Sequence, residues 1–248
     1  MHEAGMNEVI LTIQDNSALT NQVYRMTLTG PVSQMHPGQF INIRLQDCFL
    51  RRPISVYDSE PGKVTIVYKR IGKGTEQMSH LTAGTSLNVL TGLGNGYDLS
   101  KAGDLPLLIG GGVGIPPLFL LAKTLRNMGK PVTAVLGFNT RSEIFAENAF
   151  KSLGCHVTVT TADGSAGKRG FVTDALPDAY SYFYTCGPMP MLKAVNTATA
   201  TSGQFSFEER MGCGFGACMG CSCRTKDGTK RICREGPVFE KEAILWEE

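Results

Sequence analysis

The chain has 248 residues, 42% hydrophobic and 19% charged, with a formal net charge of +2. That length suits two domains and a small appendage, and the scattered basic residues exclude the charged face needed for nucleic acid or an anionic membrane. No apolar run approaches a membrane span. Nor does the opening Met1-His-Glu-Ala-Gly-Met-Asn-Glu offer a basic segment followed by an apolar one, so the expected compartment is the cytoplasm, with all eight cysteines reduced.

Residues 1–100 read as an antiparallel β-barrel. Short alternating strands, Val23-Tyr-Arg-Met-Thr-Leu-Thr29, Gln39-Phe-Ile-Asn-Ile-Arg-Leu45 and Lys63-Val-Thr-Ile-Val-Tyr-Lys69, are separated by Gly, Pro and Asn turns. Within this part, Arg51-Arg52-Pro53-Ile54-Ser55 reads as the end of a strand and Lys69-Arg70-Ile-Gly72-Lys-Gly74-Thr75 as the entry to a helix. Arg52 suits a clamp on pyrophosphate, Ser55 a hydrogen bond to a ring, and Gly74-Thr75 a phosphate at a helix N-terminus. The plainer reading of Arg52 is a solvated surface arginine.

Residues 99–103 form the expected hinge to a second part, 101–202, where apolar strands alternate with helices as in a parallel-sheet α/β domain. Pro106-Leu-Leu-Ile109 leads to a helix over 118–128, then to Val132-Thr-Ala-Val-Leu136. The turn Gly110-Gly111-Gly112-Val113-Gly114 has the form strand, glycine loop, helix start, which lets backbone N–H groups approach a pyrophosphate. A merely tight connection is the alternative, since the match to G-x-G-x-x-G is imperfect. After Tyr180-Ser-Tyr-Phe-Tyr-Thr185, a second turn, Cys186-Gly187-Pro188, lies at the same expected edge of the sheet, so the two turns can hold two ends of one dinucleotide. Its thiol is the candidate neighbour of a nicotinamide. Asn139-Thr-Arg141-Ser142-Glu143 contains both a possible 2′-phosphate binder and a possible ribose acceptor, which leaves NAD and NADP open.

The third part, 203–248, gathers five cysteines: Cys213-Gly-Phe-Gly-Ala-Cys218-Met-Gly-Cys221-Ser-Cys223, with Cys233 ten residues beyond Cys223. C-x4-C-x2-C with a later fourth cysteine is the plant-type [2Fe–2S] pattern. Structural zinc usually pairs two C-x2-4-C knuckles, and disulfides do not fit the reducing compartment. Cys223 is surplus to a four-ligand site, and Cys48 and Cys155 read as core residues. A nicotinamide exchanges a hydride whereas an iron–sulfur cluster takes single electrons, so a flavin must stand between them.

The order Arg52-Pro-Ile-Ser55, Gly74-Thr75, the glycine turn at 110–114 and Cys186-Gly-Pro188 resembles the ferredoxin–NAD(P) reductase superfamily. The tail, with Glu209-Arg-Met-Gly before Cys213 and Cys233-Arg-Glu-Gly-Pro-Val-Phe239 behind it, resembles electron-transfer subunits of class 1B dihydroorotate dehydrogenase. The resemblance implies FAD at Arg52, Pro53, Ile54, Ser55, Val67, Tyr68, Lys69, Gly74 and Thr75, NAD at Gly110, Gly111, Gly112, Val113, Gly114, Cys186, Gly187 and Pro188, and a [2Fe–2S] cluster on Cys213, Cys218, Cys221 and Cys233. It further implies an FMN-containing catalytic subunit as partner, in a heterotetramer of two of each, oxidising dihydroorotate in pyrimidine synthesis. No residue stands out as a general acid or base, which agrees with an electron relay. Paralogous subunits of NADH-dependent ferredoxin:NADP+ oxidoreductase, sulfide dehydrogenase and hydrogenases share the three-part plan. A stand-alone flavin reductase and a zinc-bearing interaction module are the readings from other classes.

Overall fold

The computed structural model describes residues 6–246. Six strands, β1 (Asn7–Ala18), β2 (Val23–Thr29), β3 (Phe40–Ile43), β4 (Arg52–Glu60), β5 (Lys63–Lys69) and β6 (Ser86–Leu93), close an antiparallel barrel in the order β1-β2-β5-β4-β3-β6. Alternation drives the closure: Met26 and Leu28, Ile41 and Ile43, and Val64 and Ile66 are fully buried inside. Each such side chain contributes roughly 1.5–3 kcal/mol on burial. The register shifts between Ile13 and Asp15 in β1 and between Val56 and Asp58 in β4. Bulges of this kind bend a strand and interrupt its period of two. Helix α1 (Lys73–Ser79) covers the barrel with the buried Met78.

A 3-10 turn, Leu99–Lys101, leads from the barrel into the α/β part. There β7 (Pro106–Gly111), α2 (Pro116–Asn127), β8 (Thr133–Phe138), α3 (Glu147–Ser152), β9 (His156–Thr161), β10 (Lys168–Arg169), β11 (Tyr182–Cys186), α4 (Met189–Ala198) and β12 (Gly203–Ser206) follow in chain order. A hairpin, β13 (Ser222–Thr225) and β14 (Gly228–Arg231), precedes β15 (Val238–Glu240). The seven-stranded sheet runs β10-β9-β8-β7-β11-β12-β15, parallel except where β15 joins β12. Segment 203–248 thus adds two strands to the sheet as well as carrying the cysteines.

The parts are joined by chemistry rather than by chain alone. Tyr57 of β4 stacks on Phe119 of α2 with ring centroids 4.2 Å apart, and Lys123 of α2 bonds Asp58 at 2.9 Å and Glu60 at 3.3 Å. On the other side Asn95, just beyond β6, donates to the Val238 carbonyl at 2.8 Å and accepts from the Val238 N–H at 3.1 Å. Among the described residues no helix is long and apolar enough to cross a membrane.

Candidate functional site

The first component is a cleft at the carboxyl ends of the parallel strands, where the doubly wound topology places ligands. Cys186 at the end of β11 is in register with Gly110 near the end of β7, so the two glycine turns lie side by side. At Gly114 a Cβ would lie 2.5 Å from the Cys186 carbonyl carbon and oxygen. Only glycine lets the turns close on each other. Behind them α2 begins with Pro116 and Pro117, which need no N–H partner in a first turn.

The resulting cleft has a volume of about 800 Å³. Gly111, Gly112, Val113 and Pro188 line it from the glycine turns and Met191 from α4, Asn139, Ser142 and Glu143 from beyond β8, and Val23 and Lys69 from the barrel. Phe171 and Thr173 complete the far wall. Gly110, Gly114, Cys186 and Gly187 are not in the lining; they pack the turns from behind. Cys186 is only 1% exposed. Its thiol faces the Glu208 carboxylate at 3.9 Å, and burial together with that carboxylate pushes its pKa well up. Glu208 had no signal in the sequence, because the contact crosses from β11 to the loop after β12.

The second component is a slot in the barrel wall. Strands β4 and β5 pair from Glu60–Lys63 back to Val56–Ile66 and then part. Residues 52–55 of β4 and 67–69 of β5 are therefore left without each other, two facing edges with unpaired backbone on that side. Pro53 is tolerated there, since a missing N–H costs nothing where no strand pairs. Arg52 opens β4 rather than ending a strand, because Asp47, with φ 55°, turns the chain after β3. Its guanidinium donates to the Leu50 carbonyl and, at 3.4 Å, to Cys48 Sγ. It lies against Gly74 so closely that a Cβ there would meet its atoms.

A positive group thus sits beside the first free N–H groups of α1, and both favour an anion. The Thr75 hydroxyl is already engaged, accepting from the N–H groups of Ile71 at 3.0 Å and Gly72 at 3.2 Å. The Thr75 side chain is therefore held by the entry turn of α1. Tyr68 points into the barrel core, 2% exposed, with its hydroxyl donating to Asn16 at 3.0 Å.

The third component is the cysteine loop. In the loop Cys218 lies beside Cys213 and Cys221 beside Cys233, with Cys213 also felt by Cys233. The Ala217 N–H donates to Cys213 Sγ at 3.2 Å, and the Cys233 N–H to Cys221 Sγ at 3.4 Å. Burial raises the Cys213 thiol, but hydrogen bonds from the Phe215, Cys218 and Ala217 main chain outweigh it and bring the pKa to about 6. Burial pushes Cys233 up to about 12. Gly214 and Gly216, at φ 79° and 94°, make the loop's reversals, and Arg231 braces it by bonding both the Gly216 carbonyl and Glu235.

Among the described residues no three His, Cys, Asp or Glu side chains surround a point where a single ion would sit. Two pairs of sulfurs, each with main-chain donors, suit a binuclear cluster that needs two thiolates per iron. Cys223, on β13 opposite Lys230, packs in the same apolar cluster as Cys221 and Cys233.

A family model described as the iron–sulfur cluster binding domain of dihydroorotate dehydrogenase B matches residues 208–245, and one for an oxidoreductase NAD-binding domain matches 108–197. The electron transfer subunit of dihydroorotate dehydrogenase B (NAD+) from Fusobacterium nucleatum is 40% identical over 92% of this chain and 95% of its own length. The corresponding subunit from Shouchella clausii is 42% identical over the same shares. A solved structure of an NADH-dependent reduced ferredoxin–NADP oxidoreductase superposes with a TM-score of 0.87 at 30% identity, covering 96% of this chain and 90% of that one. With relatives of this similarity over nearly full length, the chain belongs to the family of dihydroorotate dehydrogenase B electron transfer subunits.

Proposed function

We propose that the chain binds FAD in the slot between residues 52–55 and 67–69, with its pyrophosphate at Arg52, Gly74 and Thr75. In the same reading one [2Fe–2S] cluster is held by Cys213, Cys218, Cys221 and Cys233, and NAD lies in the cleft edged by Gly111, Gly112, Val113 and Pro188. Gly110, Gly114, Cys186 and Gly187 then shape the nucleotide site from behind. The chemistry that bound flavin supplies is the exchange of a two-electron hydride for single electrons. The chain's own residues bind, orient and space the carriers, and none is assigned proton abstraction.

The partner is an FMN-containing catalytic subunit that oxidises dihydroorotate in pyrimidine synthesis, two copies of each chain forming a cytoplasmic heterotetramer. The labour divides at 1–100 for flavin, 101–202 for nicotinamide and 203–248 for the cluster, although β12 and β15 of the last segment hydrogen-bond into the sheet of the second. NAD rather than NADP is favoured by Glu143. Its Oε2 accepts from the Asn139 N–H at 3.1 Å and side-chain amide at 2.9 Å, a carboxylate placed to meet a ribose hydroxyl and to repel a phosphate. Arg141 is committed to Ser165, donating to its carbonyl at 2.9 Å.

The observation that carries the reading is the two-by-two pairing of the thiols in a loop seated against the barrel that holds the slot. Absorption and electron paramagnetic resonance spectra of the purified chain, with iron, sulfide and flavin analysis, test it. Flavin and iron–sulfur signals at one FAD and two irons per chain are expected. A colourless zinc protein would return the interaction module to first place, and rapid NADH turnover with oxygen as sole acceptor would favour the stand-alone reductase.

A further inference from the structure

Asn42 lies where the cysteine loop touches the barrel. It is in β3, in register with Pro53 of β4 on one side and Leu90 of β6 on the other, and is 1% exposed. Its Nδ2 donates to the carbonyl of Cys213 at 3.1 Å, across 171 positions of sequence. Gly214 comes so close that a Cβ there would meet the same amide. The Asn42 Oδ1 is buried with no hydrogen-bond partner among the described residues.

Stability alone does not single out asparagine here. A buried orphan acceptor costs about 1–3 kcal/mol, and an apolar side chain would avoid it only by removing the donor to the Cys213 carbonyl. What an asparagine supplies here is one covalent and hydrogen-bonded path from the main chain of a cluster cysteine to the strand paired with residues 52–55. Electron tunnelling falls off steeply across empty gaps and less steeply along bonds, so such a path sets both distance and coupling.

We propose that Asn42 is a positioning residue for electron transfer, holding the Cys213 carbonyl against β3 so that single electrons pass between the cluster loop and the flavin slot along this contact. The inference rests on the cluster and flavin assignments above. Each passage moves one electron; two passages and one proton from solvent make up the hydride delivered to NAD+.

The test uses the full-length chain carrying its cofactors, mixed rapidly with NADH, with flavin bleaching followed optically and the reduced-cluster signal followed by freeze-quench paramagnetic resonance. One of the two electrons from NADH crosses to the cluster. Asn42→Leu, with iron and flavin contents at wild-type level, is expected to bleach flavin normally but to develop the cluster signal at least about tenfold more slowly, within the roughly 10²-fold that ~1 Å of misplacement can cost. Gly214→Ala, which keeps Asn42 but forces the loop off it, should slow the same step. In the cofactor-free chain, hydrogen exchange of amides 213–217 should rise in Asn42→Leu while that of the barrel core is unchanged. Wild-type speed of cluster reduction in either fully loaded variant overturns the proposal, as does unaltered exchange in the loop. Loss of the cluster from both variants also overturns it, making Asn42 a structural anchor. Failure of the underlying assignments is distinguishable, because wild-type protein would then lack iron or flavin.

Discussion

Replacing Gly114 by alanine tests whether the two glycine turns are held at contact. The Cβ would lie 2.4 Å from the Gly187 nitrogen and 2.5 Å from the Cys186 carbonyl carbon and oxygen, where ordinary contact begins at 3.4 Å, so the turns must separate by about 1.0 Å, the difference of 3.4 and 2.4 Å. The neighbours are backbone at the end of a buried strand and cannot rotate away. Overpacking of this kind costs about 1–3 kcal/mol, and for a chain this long that is a fall in Tm of roughly 2–12 °C. The cleft is lined from both turns, so NADH should also bind more weakly.

Gly112→Ala is the control. Gly112 has φ 52° but nothing within 4 Å of its Cβ position, so only conformational strain of about 1 kcal/mol applies. Urea unfolding and NADH titration of flavin bleaching measure both effects. A Gly114→Ala variant as stable as wild type, or less destabilised than Gly112→Ala, would refute the packing argument.

Replacing Cys213, Cys218, Cys221 or Cys233 by serine should strip or sharply deplete the cluster, since a hydroxyl is a poor substitute for a soft thiolate, while Cys223→Ser keeps full iron and sulfide; equal loss in all five would mean a different ligand set. Arg52→Ala should weaken FAD binding by about 2 kcal/mol, the worth of a charge-assisted bond to phosphate, and retention of FAD at wild-type affinity through dialysis would return Arg52 to the surface. Glu240 accepts from Lys101, Gln204 and Tyr182, each at 2.7 Å. Burial raises its carboxyl, but these donors outweigh burial and hold it below the ordinary value of 4.5. The stabilisation is therefore full above pH 4.5 and is lost as pH falls through the lowered value. Glu240→Gln should cost about 1–3 kcal/mol at pH 7, the gap to wild type closing in acid; a gap independent of pH would count against the linkage.

Much of this architecture is legible in the sequence where a single period runs uninterrupted. The alternation over 23–29 and 63–69 coincides with β2 and β5. The long β1 hides its alternation behind a bulge at residues 13–15, and β6 mixes polar residues into its pattern. The cysteine spacing announces a cluster loop because it is local, whereas the pairing of thiols and the brace of Arg231 depend on the hairpin folding back. Glycine is the ambiguous letter. Gly112 opens onto the cleft while Gly110, Gly111 and Gly114 admit neighbouring protein atoms, and a sequence cannot say whether the approaching group is a ligand or another part of the chain. Asn42, Glu143 and Glu208 gain their meaning from groups brought close by tertiary structure, or, for Glu143, from which of two adjacent charged side chains is already occupied.

The central claim is that this chain carries electrons between a dihydroorotate-oxidising subunit and NAD+. The most direct measurement is NADH formation from dihydroorotate and NAD+ when the purified chain, with FAD and cluster verified, is mixed with the FMN-containing catalytic subunit of its family. Robust NADH formation requiring both chains, absent from either alone and abolished by Cys218→Ser while the catalytic subunit still reduces a dye, is expected. No NADH above background from the fully loaded pair would contradict the account.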